Sequence, residues 1–378
     1  MKKILMVTSV ASMISQFNIP NIKLLIEMGY EVTVATNFTN PGNIPVESSK
    51  KLINELSSWG VISIDIPFAR SPLKKDNINA FNMLEKTILD GNFDKIHCQT
   101  PIGGALTRFV KMKHKDINAE IIYTAHGFHF YKGAPMKNWI IFYSIERLLS
   151  SYTDKLITIN EEDYNHSKRM NAKENIYVPG VGINLEKFKV SSPSEISAKR
   201  KELNIPNNNL VLLSIGELSE RKNHRVVIEA LKLSPNLNIT YLICGQGYLG
   251  EDLELLVKNY HLEDKVKFLG FRSDIKEICN AADVFVFPSI HEGLPVSVME
   301  AMACGLPVVG SKIRGNTDLI DQNRGGYLGE NTPEFYCEKI MEYINKPELA
   351  VMHGKYNLNK INNYSITKVV EATRDVYK

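Results

Sequence analysis

His291-Glu292-Gly293-Leu294-Pro295-Val296-Ser297-Val298-Met299-Glu300-Ala301-Met302-Ala303-Cys304-Gly305-Leu306-Pro307-Val308-Val309 follows the apolar run Val284–Phe287 and a Pro288-Ser289 turn. The run reads as a strand. A helix is predicted to begin near Pro295, because proline is favoured in the first helical turn. A strand, a glycine-containing loop and a helix N-terminus together form an anion site, since unpaired amides and the positive end of the helix dipole face one point. Pyrophosphate is a natural guest. Glu292 and Glu300 frame that point, and a carboxylate can accept two hydrogen bonds from vicinal sugar hydroxyls. Two glutamates at this spacing recur by chance, so the information lies in the whole segment.

Outward from this segment, short apolar runs alternate with helix-period stretches. Lys3–Val7, Glu31–Thr36, Ile62–Ile66, Lys95–Cys98, Ile121–Thr124 and Lys155–Ile159 read as strands, with helices predicted over Asn18–Met28, Ser49–Trp59, Gly104–Lys113 and Asn138–Ser151. The pattern restarts with Leu210–Ile215, Ile239–Cys244, Lys265–Phe268, Val284–Phe287, Pro307–Gly310 and Gly326–Leu328. Repeated β-then-α order implies a parallel sheet with helices on both faces, here twice. Tyr177–Asn209, rich in Pro, Gly, Ser and Asn, reads as the linker, with the boundary near residue 186. The expected domains are 1–186 and 187–361, with a final helix over 362–378 that crosses back to the first. Ligands of open α/β sheets bind outside the C-terminal strand ends, so function should sit on the loops that leave strands.

The chain has 378 residues, enough for two domains of roughly 100 to 200 residues each. Its composition, 44% hydrophobic and 23% charged with 23 Gly and 16 Pro, excludes a disordered or fibrous protein. Cys98, Cys244, Cys279, Cys304 and Cys337 are odd in number and form no CxxC pair, which fits reduced, packed thiols of a cytoplasmic protein. The apolar run after Met1-Lys2-Lys3 stops at Thr8-Ser9 without a cleavage site, so it reads as a buried strand and not a signal peptide. No run approaches the ~18 apolar residues of a membrane span. Net charge is only +3, and no nucleic-acid partner is expected. The charge is uneven: residues 1–190 hold 23 Lys+Arg against 18 Asp+Glu, while the rest holds 22 against 24. The first half is therefore the candidate for an anionic partner.

Three further loops carry candidate chemistry. Gly216-Glu217-Leu218-Ser219-Glu220-Arg221-Lys222-Asn223 comes directly after a strand and places cations at the next helix start, where they could neutralise phosphate; the alternative is a solvated basic helix start. Thr124-Ala125-His126-Gly127-Phe128-His129 ends another strand. Its His-x-x-His pair lacks a third ligand at metal-site spacing. Gly245-Gln246-Gly247-Tyr248-Leu249-Gly250 matches the GxGxxG dinucleotide fingerprint, but the acid that should end the next strand, Asp264, lies before it. A NAD site is not expected.

The segment from His291 resembles the Glu-x7-Glu motif of retaining family 4 glycosyltransferases, enzymes of the GT-B architecture with two Rossmann-like domains facing each other across a cleft, and the similarity extends over most of the chain. The resemblance implies that Glu292 faces the donor sugar, that Glu300 holds the nucleotide ribose, and that Gly293, Leu294 and Val296 line the diphosphate. It implies that Lys222 clamps the leaving diphosphate. The family's arginine directly after the glycine is replaced by Glu217, which leaves open whether Arg221 supplies that charge beside Gly216. His126 resembles the histidine that reaches the donor sugar; Gly245 and Gly247 fall beside the donor; Arg272 and Ile275 fall where the base, usually uracil, is read. Ser9, Ala11 and Ser12 stand where many relatives carry a Gly-Gly pair and are candidates for the acceptor, with His129 and Lys132.

The resemblance further implies a metal-independent, retaining transfer from a nucleotide-sugar donor, most simply a UDP-sugar, without a cofactor. It is nearest to capsular and exopolysaccharide enzymes that extend an undecaprenyl-diphosphate-linked sugar, which leans towards an N-acetylated hexosamine. Arg108-Phe109-Val110-Lys111-Met112-Lys113-His114-Lys115 and the stretch Lys132–Arg147, with Trp139, Ile140, Phe142 and Tyr143, would place the first domain on the inner face of the cell membrane. The rival readings are a UDP-sugar epimerase on the same architecture and a non-catalytic nucleotide-sugar binder.

Overall fold

Ile4, Leu5, Met6 and Val7 are wholly buried in β1 (Lys2–Val7), which places this continuous apolar run at the centre of a parallel sheet, covered on both faces. The computed structural model describes residues 1–69, 71 and 74–378. Around β1 run β2 (Tyr30–Thr36), β3 (Ile62–Asp65), β4 (Lys95–Gln99), β5 (Glu120–Ala125), β6 (Lys155–Thr158) and β7 (Glu174–Tyr177), all parallel, in the order β3-β2-β1-β4-β5-β6-β7. A second all-parallel sheet has the order β10-β9-β8-β11-β12-β13, from β8 (Leu210–Ile215), β9 (Ile239–Cys244), β10 (Val266–Gly270), β11 (Val284–Phe287), β12 (Val308–Ser311) and β13 (Gly326–Gly329). Both sheets are doubly wound, as the alternating pattern predicts. The chain divides into one unit of Met1–Gly182 with Ile366–Lys378 and a second of Ile183–Ser365.

The structure departs from the sequence reading where apolar periodicity is weak. β7, at a sheet edge and only half-buried, begins just before the stretch read as linker and ends at its first residue, and the helix Pro193–Glu202 lies wholly inside that stretch. That helix has no buried residue to mark a face, but Ser192 caps it reciprocally with Glu195. The predicted helix from Asn18 is a helix Ile19–Glu27 preceded by Ala11–Met13 and a π-helical turn Ile14–Asn18. The stretch predicted as one helix over Asn138–Ser151 is likewise broken by a π-helical turn, Trp139–Tyr143, between Met136–Asn138 and Ser144–Ser150.

Arg108 is fully buried: its guanidinium forms a bidentate pair with Glu146 (2.8 and 3.2 Å) and lies 3.8 Å from the centre of the Tyr123 ring. It is therefore not one of the headgroup-facing cations that its sequence neighbours suggested. The last helix, Ile366–Tyr377, is part of the first unit. Its Tyr377 hydroxyl meets His97 Nδ1 at 2.7 Å, and the Tyr377 carbonyl accepts from Tyr30 at 2.9 Å. All five cysteines are free, and all but Cys337 are buried. No helix of the described residues is long and apolar enough to cross a membrane.

Candidate active site

β8 and β11 are neighbours although β9 and β10 intervene in sequence, so the loops that leave them meet at the switch point of the second sheet. The backbone ties them there: Ile290 N–H donates to the Arg221 carbonyl at 2.8 Å. One oxygen of Glu292, Oε1, receives both Arg221 Nη1 (2.5 Å) and Lys222 Nζ (2.8 Å). The Lys222 and Glu292 side chains are only 11% and 12% exposed, against 35% for Arg221. Lys222 Nζ also lies 4.6 Å from the Phe287 ring centre. Burial pushes the Glu292 carboxyl up, but the Lys222 and Arg221 charges outweigh it and hold it below its usual value. Burial lowers Lys222 despite that partner. The result is a nearly dry carboxylate holding two cations.

Behind it, Arg314 Nε donates to the Glu292 carbonyl at 2.8 Å. Sequence reasoning missed Arg314; its available signal was its position on the loop after β12, next to β11. The helix Val296–Ala303 starts after Pro295, and no side chain caps it, so the first-turn amides, that of Val296 among them, have no side-chain acceptor. Gly293 and Leu294 lie between Glu292 and that start. Glu300, on the same helix, makes no hydrogen bond to a described side chain, and burial raises its pKa to about 7 against the opposing charge of Lys187.

Gly245 and Gly247 have a packing reason of their own. A Cβ on Gly245, whose φ is +151°, would stand 1.8 Å from the Gly216 carbonyl oxygen, and one on Gly247 would stand 2.3 Å from that of Leu218. Gly216 in turn packs on the Lys222 stem, so the two glycines let the loop after β9 close on the loop that carries the cations. The Arg272 guanidinium is engaged by Asp274 (2.5 and 2.7 Å) and Glu202 (3.3 Å). Ile275 opens the next helix, Ile275–Ala281. Glu217 is exposed and makes no ion pair with the Glu292 cluster among the described residues, although its negative charge favours the charged form of Lys222.

In the first unit, His126 lies at the end of β5 beside a pocket lined also by Asn18, Gln99, His97, Thr124 and Thr373. His126 Nε2 is 2.9 Å from Gln99 Oε1. Burial lowers His126 to about 4 and His97 to about 3, so both rings are neutral at pH 7. Ser9 binds the Thr100 hydroxyl (2.6 Å) and the Gly103 amide (3.0 Å), joining the loops after β1 and β4, while Ala11 and Ser12 are buried in a short helix. The His129 and Phe142 rings pack at a 31° tilt with centres 4.8 Å apart, and the Lys132 amide donates to Glu162 at 2.7 Å.

Residues 195–360 match the family described as glycosyl transferases group 1, and residues 22–187 match glycosyltransferase family 4. The glycosyltransferase EpsD of Bacillus subtilis (strain 168) is 34% identical over 385 aligned positions, covering 100% of this chain and 96% of that protein. The chain belongs to the group 1 and family 4 glycosyltransferases. Within this glycosyltransferase, the Glu-x7-Glu pair and Lys222 sit inside the group 1 match and His126 inside the family 4 match. The UDP-Gal:alpha-D-GlcNAc-diphosphoundecaprenol alpha-1,3-galactosyltransferase of Escherichia coli is 28% identical, covering 80% of this chain and 79% of its own length. Among solved structures, Anabaena HepE in complex with UDP-glucose has the same fold, with a TM-score of 0.78 at 19% identity, covering 100% of this chain and 99% of HepE.

Proposed function

We propose that this glycosyltransferase moves a sugar, with retention, from a UDP-sugar to an undecaprenyl-diphosphate-linked glycan in exopolysaccharide synthesis, at the inner face of the cell membrane and without a divalent ion. The observation that carries the reading is the single Glu292 oxygen shared by Arg221 and Lys222 beside an uncapped helix start. When the glycosidic bond breaks, negative charge develops on the departing diphosphate; two cations and the amides of Gly293, Leu294 and Val296 answer it. That is the role a metal ion fills elsewhere. Arg221 lies where it can supply the charge missing at Glu217. Glu292 keeps the cations in place before the donor binds and then faces the sugar, while Glu300, half-buried and without a hydrogen bond to a described side chain, is suited to the ribose hydroxyls. UDP as the carrier and a lipid-linked acceptor are taken from the name of the E. coli relative; the exopolysaccharide setting is taken from the chain's resemblance to capsular and exopolysaccharide enzymes and is supported by the names of relatives in amylovoran and colanic acid biosynthesis.

The test is nucleotide release by purified protein from UDP-, GDP- and ADP-sugars in EDTA, with and without a polyprenyl-diphosphate-sugar acceptor. The expected outcome is UDP release that needs the acceptor and survives EDTA, with the anomeric configuration of the product retained. Lys222→Met should lower kcat by about 100- to 1000-fold, the range seen when one preorganised stabilising group is removed. UDP-sugar binding without acceptor-dependent release would instead favour an epimerase or a binder.

A further inference from the structure

Asn18 and Gln99 are almost fully buried beside His126, at 1% and 2% exposure. Asn18 Nδ2 donates to the Met13 carbonyl at 2.9 Å, a contact made where the π-helical turn Ile14–Asn18 brings residue 18 back over residue 13. A carbonyl only accepts, so this bond fixes which end of the Asn18 amide is nitrogen. The other end, Oδ1, then accepts from Gln99 Nε2 at 2.6 Å, while Asn18 Nδ2 also reaches Gln99 Oε1 at 3.2 Å. Turning either amide over would set oxygen against oxygen. Gln99 therefore presents Oε1 to His126 Nε2, 2.9 Å away. An acceptor there requires the proton on Nε2 of a neutral ring, and that leaves a lone pair on Nδ1. His126 Nδ1 has no hydrogen-bond partner among the described residues.

We propose that Asn18 and Gln99 are positioning residues that lock His126 in its Nε2–H tautomer, so that its Nδ1 is ready to accept a hydrogen bond from a hydroxyl of the sugar being transferred. The proposal rests on the glycosyl-transfer reading for the identity of that hydroxyl, and on the amide relay alone for the tautomer. An imidazole with the other tautomer would offer N–H to the hydroxyl and lose the directed acceptor. The relay is carried by bonds between residues 13, 18, 99 and 126, which parallel pairing of the adjacent strands β1, β4 and β5 gathers at their C-terminal ends, in the middle of the sheet.

The full chain labelled with 15N-histidine shows the tautomer directly in long-range 1H–15N correlation spectra at pH 7.5, His126 being assigned by its loss in His126→Ala. Wild type should show a protonated Nε2 and a bare Nδ1. Asn18→Leu, which frees the Gln99 amide to turn, and Gln99→Met, which removes the acceptor, should each give a mixture of tautomers. In the nucleotide-release assay Gln99→Met should lose kcat about 10- to 100-fold, the worth of one misdirected hydrogen bond, with a smaller change in the KM for the nucleotide sugar. A wild-type ring protonated on Nδ1 overturns the relay, and so does an unchanged Nε2–H tautomer in both folded variants. The wild-type spectrum decides even if a variant does not fold. A locked Nε2–H ring in a protein that turns over no nucleotide sugar would support the relay and sink the transfer reading.

Discussion

Glu300 shows what a single residue contributes before any substrate binds. Its carboxyl lies on a helix whose neighbours Val298, Met299, Ala301 and Met302 are fully buried, and it has no hydrogen-bond donor among the described side chains; burial therefore raises its pKa from 4.5 to about 7. An acid whose folded pKa exceeds its unfolded one favours the folded state below pH 4.5 and loses that contribution as pH rises through 7. Glu300→Gln should thus gain stability on wild type between pH 5 and pH 8, on the order of 2 kcal/mol, measured by urea unfolding at both pH values. If ribose hydroxyls donate to the ionised carboxylate, UDP-glucose should bind wild type more weakly below pH 7, by up to about tenfold per unit, and the Gln variant without that slope. Titration calorimetry from pH 5.5 to 8.5 checks this; a slope retained by the variant would assign it to another group. Glu292 and Glu300 were legible in the sequence because one strand, loop and helix carry both. Arg314, Gln99 and Asn18 were not, because each acts on a residue from another βα unit and only the strand order makes them neighbours.

Among the elements, the broken helical segment from Met136 to Ser150 has the clearest division of faces. Arg108 and Glu146 anchor it, and Trp139 and Tyr143 pack on Phe130 with ring centres 5.5 and 5.2 Å apart. The opposite side leaves Met136, Ile140, Ile141, Ile145 and Leu148 exposed, at 73, 65, 52, 39 and 53%, with Lys137 next to Met136 and Lys132 four residues before it in sequence. An apolar stripe flanked by cations suits an anionic bilayer surface. The protein should sediment with phosphatidylglycerol vesicles, less with phosphatidylcholine vesicles and less at high salt, and Ile140→Glu with Ile141→Glu should abolish binding while leaving thermal unfolding unchanged. Equal binding to neutral vesicles would remove the electrostatic part of the argument. Of the aromatic and aliphatic quartet read from the sequence, only Ile140 is on this face. Helical spacing marks a periodic stripe but not which side a buried ion pair will pin, and a π-helical turn shifts the register partway. The strands were easier, since a buried parallel strand is a continuous apolar run; β7 escaped because an edge strand needs none.

At the scale of the whole molecule, buried titratable groups are shared unequally between the two units. The first unit holds His97, buried, and His126, half-buried at a pocket wall, lowered to about 3 and about 4; the second holds His224, lowered to about 4, and His353, also lowered, while Glu300 is raised to about 7. A base whose folded pKa is depressed supports folding above its unfolded value of about 6.5 and withdraws that support as pH falls towards the folded value. At pH 5 each strongly lowered histidine costs about 2 kcal/mol relative to neutral pH. Two such losses fall on the first unit. In the second, protonation of Glu300 returns about 2 kcal/mol over the same interval, offsetting His224. Acidification from pH 7 to pH 5 should therefore weaken the first unit more than the second. The chain reports this itself, because both of its tryptophans, Trp59 and Trp139, lie in the first unit. Urea unfolding followed by tryptophan fluorescence should move to lower denaturant at pH 5 than the transition followed by far-ultraviolet circular dichroism, which sees both units. His97→Gln should narrow the gap, because an amide carries no proton to take up. Coincident transitions at pH 5 would mean that the units unfold together and that the histidines of one are set against the Glu300 of the other.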